Sequence, residues 1–485
     1  MSKRFATKSI VASTTIERKE IAAAEEAATV FVNLHLVAPP CTENERKAID
    51  LVIVLDKSGS MDGSKLDLCK QTINFLGQHL SDSDRVAVVT YDSKVHTRLH
   101  LTPMTPQGKA QLANVARTIE AGTSTNLSGG LSAGLKEVQR RCKTWFFTTV
   151  APNPVQSVLL LTDGLANEGI TDKVGLSKLL EQSLPSHVSL HTFGYGTDHN
   201  ATLLTHMANL GRGSYYFIQN IDTVPLAFAD CLGGLLSVVA QNIEVECVGA
   251  TGVSIVAVKT KRPITQTANT ATIKMGDMFA EEVRDVLVHV ELPVLVDPQT
   301  NVPVLDFRIR YANVLASSMD SIASQASIDR PLKVTNDSVD ESVIAQKQRV
   351  EAAEAIDKAR DLAEMGDVGQ GWEKINAAIE QINEATSKMS SSMQAQNKYI
   401  VEELKACSDN MASQSVYKAH GHAKISQVSQ AQWMQRSNSV GIEDALMAID
   451  ETDASTGKYR NAAKRSMMSK AGASFGLFSS TVSRS

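Results

Sequence analysis

Between Ile49 and Ile218 the hydrophobic period switches repeatedly, and this constrains the fold more than any other feature of the chain. IDLVIVLD, ending at Asp56, is a continuous apolar run of the kind found in a strand covered on both faces. Leu66, Cys69, Ile73, Leu76 and Leu80 then recur at helical spacing. The beat continues with RVAVVTYDS as strand, LANVARTIE and LSGGLSAGLKEVQRR as helices, and SVLLLTDG as strand. LSKLLEQSL reads as helix, VSLHTFGYG as strand, Thr202–Leu210 as helix and Ser214–Ile218 as a short strand. Such alternation predicts a doubly wound parallel sheet of the Rossmann-like kind, whose ligand site lies at the carboxyl ends of the strands.

The pattern differs on either side. Upstream, Val32, Leu34 and Leu36 alternate with Asn33 and His35 before Pro39 and Pro40, a half-buried strand. Downstream, IEVECV, VSIVAVKT, ATIKMG, VRDVLVHVEL and LDFRIRYANV are short runs of period two, with Phe307, Ile309 and Tyr311 opposite Arg308 and Arg310. These predict an antiparallel β-sandwich that the early strand joins, so that the α/β region is an insert within it. From about Asp337 the chain turns helical, with Trp372, Ile375, Ile379 and Ile382 as an apolar stripe on one member of a helical hairpin. That hairpin resembles a tetratricopeptide unit, but no second copy follows at a fixed period. Helical signals run through Met389–Met411 and Tyr417–Gln435, and a Ser-rich tail ends the chain. The expected domains are 1–47 (N-terminal strands of the sandwich), 48–237 (α/β insert), 238–336 (sandwich), 337–440 (helical domain) and 441–485 (helical or flexible tail).

Composition narrows the function. A net charge of −5 over 485 residues argues against a basic nucleic-acid surface. The basic cluster Lys458, Arg460, Lys464, Arg465 and Lys470 reads as a solvated helical face. No segment approaches the ~18–20 apolar residues of a membrane span, and the N-terminus lacks a secretory apolar core. The six cysteines, Cys41, Cys69, Cys142, Cys231, Cys247 and Cys407, form no CxxC pair, which predicts reduced thiols and a cytoplasmic chain.

Three loops carry the chemistry: Asp56-Lys57-Ser58-Gly59-Ser60 after the first buried strand, Thr123-Ser124-Thr125-Asn126 ahead of a helix, and Thr162-Asp163-Gly164 after SVLLL. A doubly wound sheet would gather them at one edge, offering two carboxylates and three hydroxyls. These are hard oxygen donors of the kind that Mg²⁺ takes in octahedral array while keeping some waters. Ser58 and Ser60 lie two apart, so a turn eased by Gly59 can aim both hydroxyls at one point. No protein group suggests itself for the sixth position, which an Asp or Glu of a partner protein can fill.

DKSGS, the downstream threonine and TDG together resemble the metal-ion-dependent adhesion site of von Willebrand factor type A domains. The resemblance spans about residues 48–235 and includes LVIVLDKSGSM, TNLSGGL, LLLTDG and FGYGTDHN. It implies that Ser58, Ser60 and Thr125 are direct ligands of Mg²⁺ (or Mn²⁺ or Ca²⁺), with Asp56 and Asp163 acting largely through waters. Thr125 is preferred to Thr123 because the family sets its threonine directly before an Asn/Asp-Leu pair. The sandwich-then-helix order resembles inter-alpha-trypsin inhibitor heavy chains. The C-terminal part, ending in YKAHGHAKISQVSQAQWMQRS, resembles the helical domain accompanying A domains in proteins with intein-like or RING modules, including plant RING proteins of the root-waving class. This chain has neither RING cysteines nor an intein nucleophile, so those activities do not carry over.

Other motifs are weaker. His420-Gly421-His422 lacks a third zinc ligand, Gly194-Tyr195-Gly196 reads as a tight turn, and TGKYRNAAKRS is no phosphate loop. No serine lies in a GxSxG elbow, and no nucleophile–base pair can be assembled. Asp198 reads as the cap of the helix near Thr202, and Trp145-Phe146-Phe147 as a packed loop. The expectation is a non-enzymatic, cation-dependent adaptor or scaffold. The alternatives are a non-catalytic adaptor of a ubiquitin-ligase system and a secreted matrix or adhesion protein.

Overall fold

The computed structural model describes residues 8–140, 151–197, 199–438 and 459–477. Cys142, Trp145-Phe146-Phe147, Asp198 and Lys458 lie outside the described residues. The described residues fall into two compact units, one within Met1–Pro40, Val239–Gly421 and Gln432–Gln435, the other within Cys41–Val238, His422–Ala431 and Arg436–Ser485.

The second unit is built on β3 (Ile49–Asp56), β4 (Arg85–Tyr91), β5 (Val95–Pro103), β6 (Val155–Thr162), β7 (Val188–Tyr195) and β8 (Arg212–Ile218), in the order β5-β4-β3-β6-β7-β8. All neighbours pair parallel except β5, which runs antiparallel to β4 at the edge. Every residue of β3, β4, β6 and β7 is buried, as parallel strands covered on both faces require. The helices are α1 (Ser64–His79), α2 (Pro106–Arg117), α3 (Leu127–Val138), α4 (Lys173–Ser183), α5 (Ala201–Leu210) and α6 (Val224–Leu235). Leu127, Leu131 and Leu135 of α3 join Leu176 and Leu180 of α4 and Leu204 and Met207 of α5 in one core with Val52, Val54, Val89 and Val158. α1 packs against α2 and α6. From β3 the chain winds first toward β4 and then returns to β6 on the other side. The winding therefore reverses between β3 and β6, where an open α/β sheet forms a crevice at its carboxyl edge.

The described residues 422–431, 436–438 and 459–477 also belong to this unit. Helix α12 (Ala462–Ser474), numbered after the remaining helices described below, packs on α6, and a Cβ at Gly233 would fall 2.6 Å from Lys464 Cα, so close contact requires glycine there. Lys464 is 1% exposed, donating to Asp230 Oδ2 at 2.7 Å and to the Ser437 carbonyl at 3.0 Å. The expectation of a solvated basic face fails at this residue, because a carboxylate 234 positions away compensates its burial. Gln430 accepts from the Tyr215 amide at 2.6 Å and Asn438 donates to the Tyr215 carbonyl at 2.9 Å, covering polar backbone on edge strand β8. Asn200 caps α5, its side chain accepting from Leu203 N.

The first unit contains two antiparallel sheets. One has β1 (Val11–Ile16), β2 (Thr29–Val37), β13 (Val283–Glu291) and β10 (Ser254–Lys259), in that order; the early strand thus pairs with the downstream ones. The other runs β11 (Ile264–Gln266), β12 (Thr270–Phe279), β9 (Val238–Gly249), β14 (Gln299–Asn313), β15 (Ser318–Arg330). Phe307, Ile309 and Tyr311 are buried while Arg308 and Arg310 are exposed. Helices α7 (Glu341–Glu364), α8 (Val368–Thr386) and α9 (Ser391–Asp409) pack in succession. α7 lies against β2 and β13 through a cluster of Leu287, Val343, Val350, Ala353 and Trp433. On α8, Ile375, Ile379 and Ile382 are buried as expected, but Trp372 is 45% exposed and departs from the stripe. A single turn, α10 (Gln414–Val416), precedes α11 (His422–Met434). The stretch 337–440 therefore divides between the two units. Among the described residues, no helix is long and apolar enough to cross a membrane.

Candidate functional site

The three loops meet at the carboxyl edge of the sheet, beside the reversal between β3 and β6. Asp56 closes β3 and is fully buried. Its Oδ1 accepts from the Ser58 amide at 2.8 Å and its Oδ2 from the Thr162 hydroxyl at 2.6 Å. Burial pushes the Asp56 carboxyl up to about 6, against the pull of the Thr162 and Ser58 hydrogen bonds; the negative charge of Asp163 adds to the rise. Ser58 and Ser60 share a hydrogen bond at 3.2 Å, and Ser60 donates to Asp163 Oδ1 at 2.7 Å. A Cβ at Gly164 would lie 3.5 Å from Thr125 Oγ1 and 3.8 Å from Ser60 Oγ, so both hydroxyls border the same small volume. Asp56, Ser58, Thr125 and Asp163 are buried while Ser60 is exposed, which leaves the cluster open to solvent on one side.

Backbone contacts stitch the loops together. Gly122 N donates to Lys57 O at 2.6 Å and Gly59 N to Thr123 O at 3.0 Å. Asn167 Oδ1 accepts from Thr125 N at 2.8 Å, while the Asn167 and Glu168 amides donate to Thr125 O. Asn126 starts α3 as its cap, accepting from Gly129 N. Lys57 pairs with Asp92 at 2.6 Å, and a Cβ at Gly122 would fall 1.8 Å from Asp92 Oδ2, so that position admits glycine alone without rearrangement. Gly59 does not adopt a left-handed backbone; its contribution is the amide given to Thr123. The Thr123 hydroxyl turns to Ser93 Oγ at 3.2 Å, whereas Thr125 is the threonine beside Ser60.

Sequence reasoning did not single out Lys65, whose ammonium reaches Asp163 Oδ2 at 2.5 Å and Ser60 O at 3.2 Å, nor the supporting roles of Thr162 and Asn167. Thr162 adjoins Asp163 and could have been found from that spacing. Lys65 lies beyond the loop motif, and nothing in the local pattern marks it. Among the described residues no group of three or more His, Cys, Asp or Glu could hold a metal, His420 and His422 included. Two carboxylates with three hydroxyls remain a fitting set for a hard divalent cation, and a buried carboxyl lifted toward neutrality is one that a cation would relieve.

The family model for the von Willebrand factor type A domain matches residues 50–229. The chain is similar to the E3 ubiquitin-protein ligase WAV3 of Arabidopsis thaliana, 28% identical over 256 residues, covering 52% of this chain and 32% of that protein. It is also similar to inter-alpha-trypsin inhibitor heavy chain H1 of Mesocricetus auratus, 27% identical over 180 residues, covering 37% of this chain and 19% of the relative. The matched stretch is thus a third or less of either relative's length. Among solved structures, von Willebrand factor type A from Catenulispora acidiphila matches with a TM-score of 0.63 at 16% identity, over 84% of this chain and 91% of that one.

Proposed function

Since residues 50–229 form a von Willebrand factor type A domain, we propose that the protein is a non-enzymatic adaptor or scaffold that captures an acidic side chain of a partner protein through a divalent cation. The reading rests on Ser58, Ser60, Thr125, Asp56 and Asp163 bordering one solvent-facing cluster at the reversal of the sheet. A cation of the Mg²⁺, Mn²⁺ or Ca²⁺ class, when bound there, supplies a Lewis-acid centre for a carboxylate. Ser58, Ser60 and Thr125 would hold it directly, and Asp56 and Asp163 would balance its charge from slightly farther out. Thr162 and the Ser58 amide keep Asp56 aimed inward, while Asn167 fixes the Thr125 backbone. Since the loops are tied by their own backbone, cation uptake would demand little rearrangement.

The test is affinity purification of the tagged full chain with Mg²⁺ and with EDTA, alongside Asp56→Ala. Partner capture should require both the cation and Asp56. If the alanine variant, folded, retains the same proteins in EDTA, the reading fails.

A reducing compartment belongs to the same proposal, as Cys69, Cys231 and Cys247 are buried thiols outside any disulfide. Fractionation of the native chain away from cytosolic markers would contradict it. The similarity to WAV3 favours a second reading, in which the protein serves a ubiquitin-ligase system without catalysing transfer. Co-purification of a RING or U-box protein with the full chain supports that reading, and its absence from Mg²⁺-dependent eluates removes it.

A further inference from the structure

We infer that Lys65 sets the charge of the cation site, weakening cation uptake while strengthening the loaded site's attraction for a carboxylate. This rests on the cation reading above and extends it to a residue outside the loop motif. Lys65 stands at the start of α1, and its ammonium is hydrogen-bonded to Asp163 Oδ2 and to the Ser60 carbonyl. Asp163 Oδ1 accepts from Ser60. Both oxygens of Asp163 are therefore engaged, one by a hydroxyl and one by a fixed positive charge. Asp163 is buried, and the Lys65 side chain is only a third exposed, so solvent screens the pair incompletely.

Counting charges at the cluster gives −1 from Asp56, −1 from Asp163 and +1 from Lys65, a net −1. Lys57 and Asp92, the neighbouring pair, cancel. A divalent cation would bring the total to +1 with Lys65 and to zero without it. A site left at +1 binds its cation less tightly than a neutralised one, and it attracts an anionic partner more strongly. Lys65 is a positioning residue in this scheme: it orients Asp163 and adds a charge that is felt at the cation.

Lys65→Met keeps most of the aliphatic stem and removes the charge, Lys65→Gln repeats the removal with a polar tip, and Lys65→Arg keeps the charge. Binding of Mn²⁺ alone to each full-length variant is followed by water-proton relaxation. Acetate is then titrated into the Mn²⁺-saturated protein, and circular dichroism checks the fold. For Met and Gln, Mn²⁺ should bind on the order of tenfold more tightly and acetate several-fold more weakly, with Arg like the parent, the size reflecting one partly screened unit charge. A lysine that merely braces the loop would shift neither constant, or both in one direction, and that result overturns the assignment of Lys65 alone. Absence of Mn²⁺ uptake by the parent chain overturns the cation reading and this inference with it.

Discussion

Lys464→Ala should destabilise the α/β unit severely although the residue lies more than two hundred positions from the strand that first defines that unit. The ammonium is 1% exposed and faces Asp230, which is fully buried and also accepts from the Tyr216 hydroxyl at 2.9 Å. Arg460 approaches the other Asp230 oxygen at 3.7 Å, too far to replace the lost hydrogen bond. Removing one member of such a pair leaves a charge without its main compensation, which costs about 3–5 kcal/mol. For a cooperative unit of this size each kcal/mol moves Tm by roughly 2–4 °C, so a drop of about 10 °C is expected. Differential scanning calorimetry of the full chain reads it. The variant Lys464→Met/Asp230→Leu removes both charges and should recover much of the loss, short of about 1 kcal/mol for the Tyr216 hydroxyl. A shift below about 2 °C for Lys464→Ala would show that α12 is not an integral part of the unit, and the reasoning would fall.

Burial in β7, reinforced by the positive charges of Arg436 and Lys464, pushes His191 down to about 3. As pH falls below the ordinary histidine value near 6.5, the unfolded chain takes up a proton that the folded one refuses. This residue should therefore remove stability at about 1.4 kcal/mol per pH unit until its folded value is reached. Chemical denaturation at pH 7, 6 and 5 should show this slope in the parent and a shallower one in His191→Gln; parallel slopes would contradict it. Thr125→Ala should weaken Mg²⁺ binding by about 10–100-fold, whereas Thr123→Ala, whose hydroxyl faces Ser93, should stay within about twofold. Calorimetric titration of both variants decides the matter, and equal losses would refute the choice of threonine.

The buried strands of the α/β unit were legible because parallel strands covered on both faces read as apolar runs, and α1 and α3 because they bury one face. β5 was not: its segment, VHTRLHLTP, sits at the sheet edge with most side chains in solvent. α6 escaped for the opposite reason, since all twelve of its residues are buried and no polar face remains to set a period. β15 is an edge strand with mostly polar or small side chains, so alternation is faint. At the candidate site the donor residues could be read from three short motifs. The bonds that hold the loops in register, Gly122 to Lys57 and Asn167 to Thr125, link residues 42 to 65 apart and leave no local trace. Lys464 belongs to the same class, because a buried lysine and a solvated one look alike until the partner carboxylate is known.

Uptake of Mg²⁺ by the purified, folded full chain, measured by isothermal titration calorimetry, bears most directly on the central reading. One site per chain is expected, lost in Asp56→Ala while the far-ultraviolet spectrum stays unchanged. A parent chain that takes up neither Mg²⁺ nor Mn²⁺, or a variant that binds as the parent does, would contradict it.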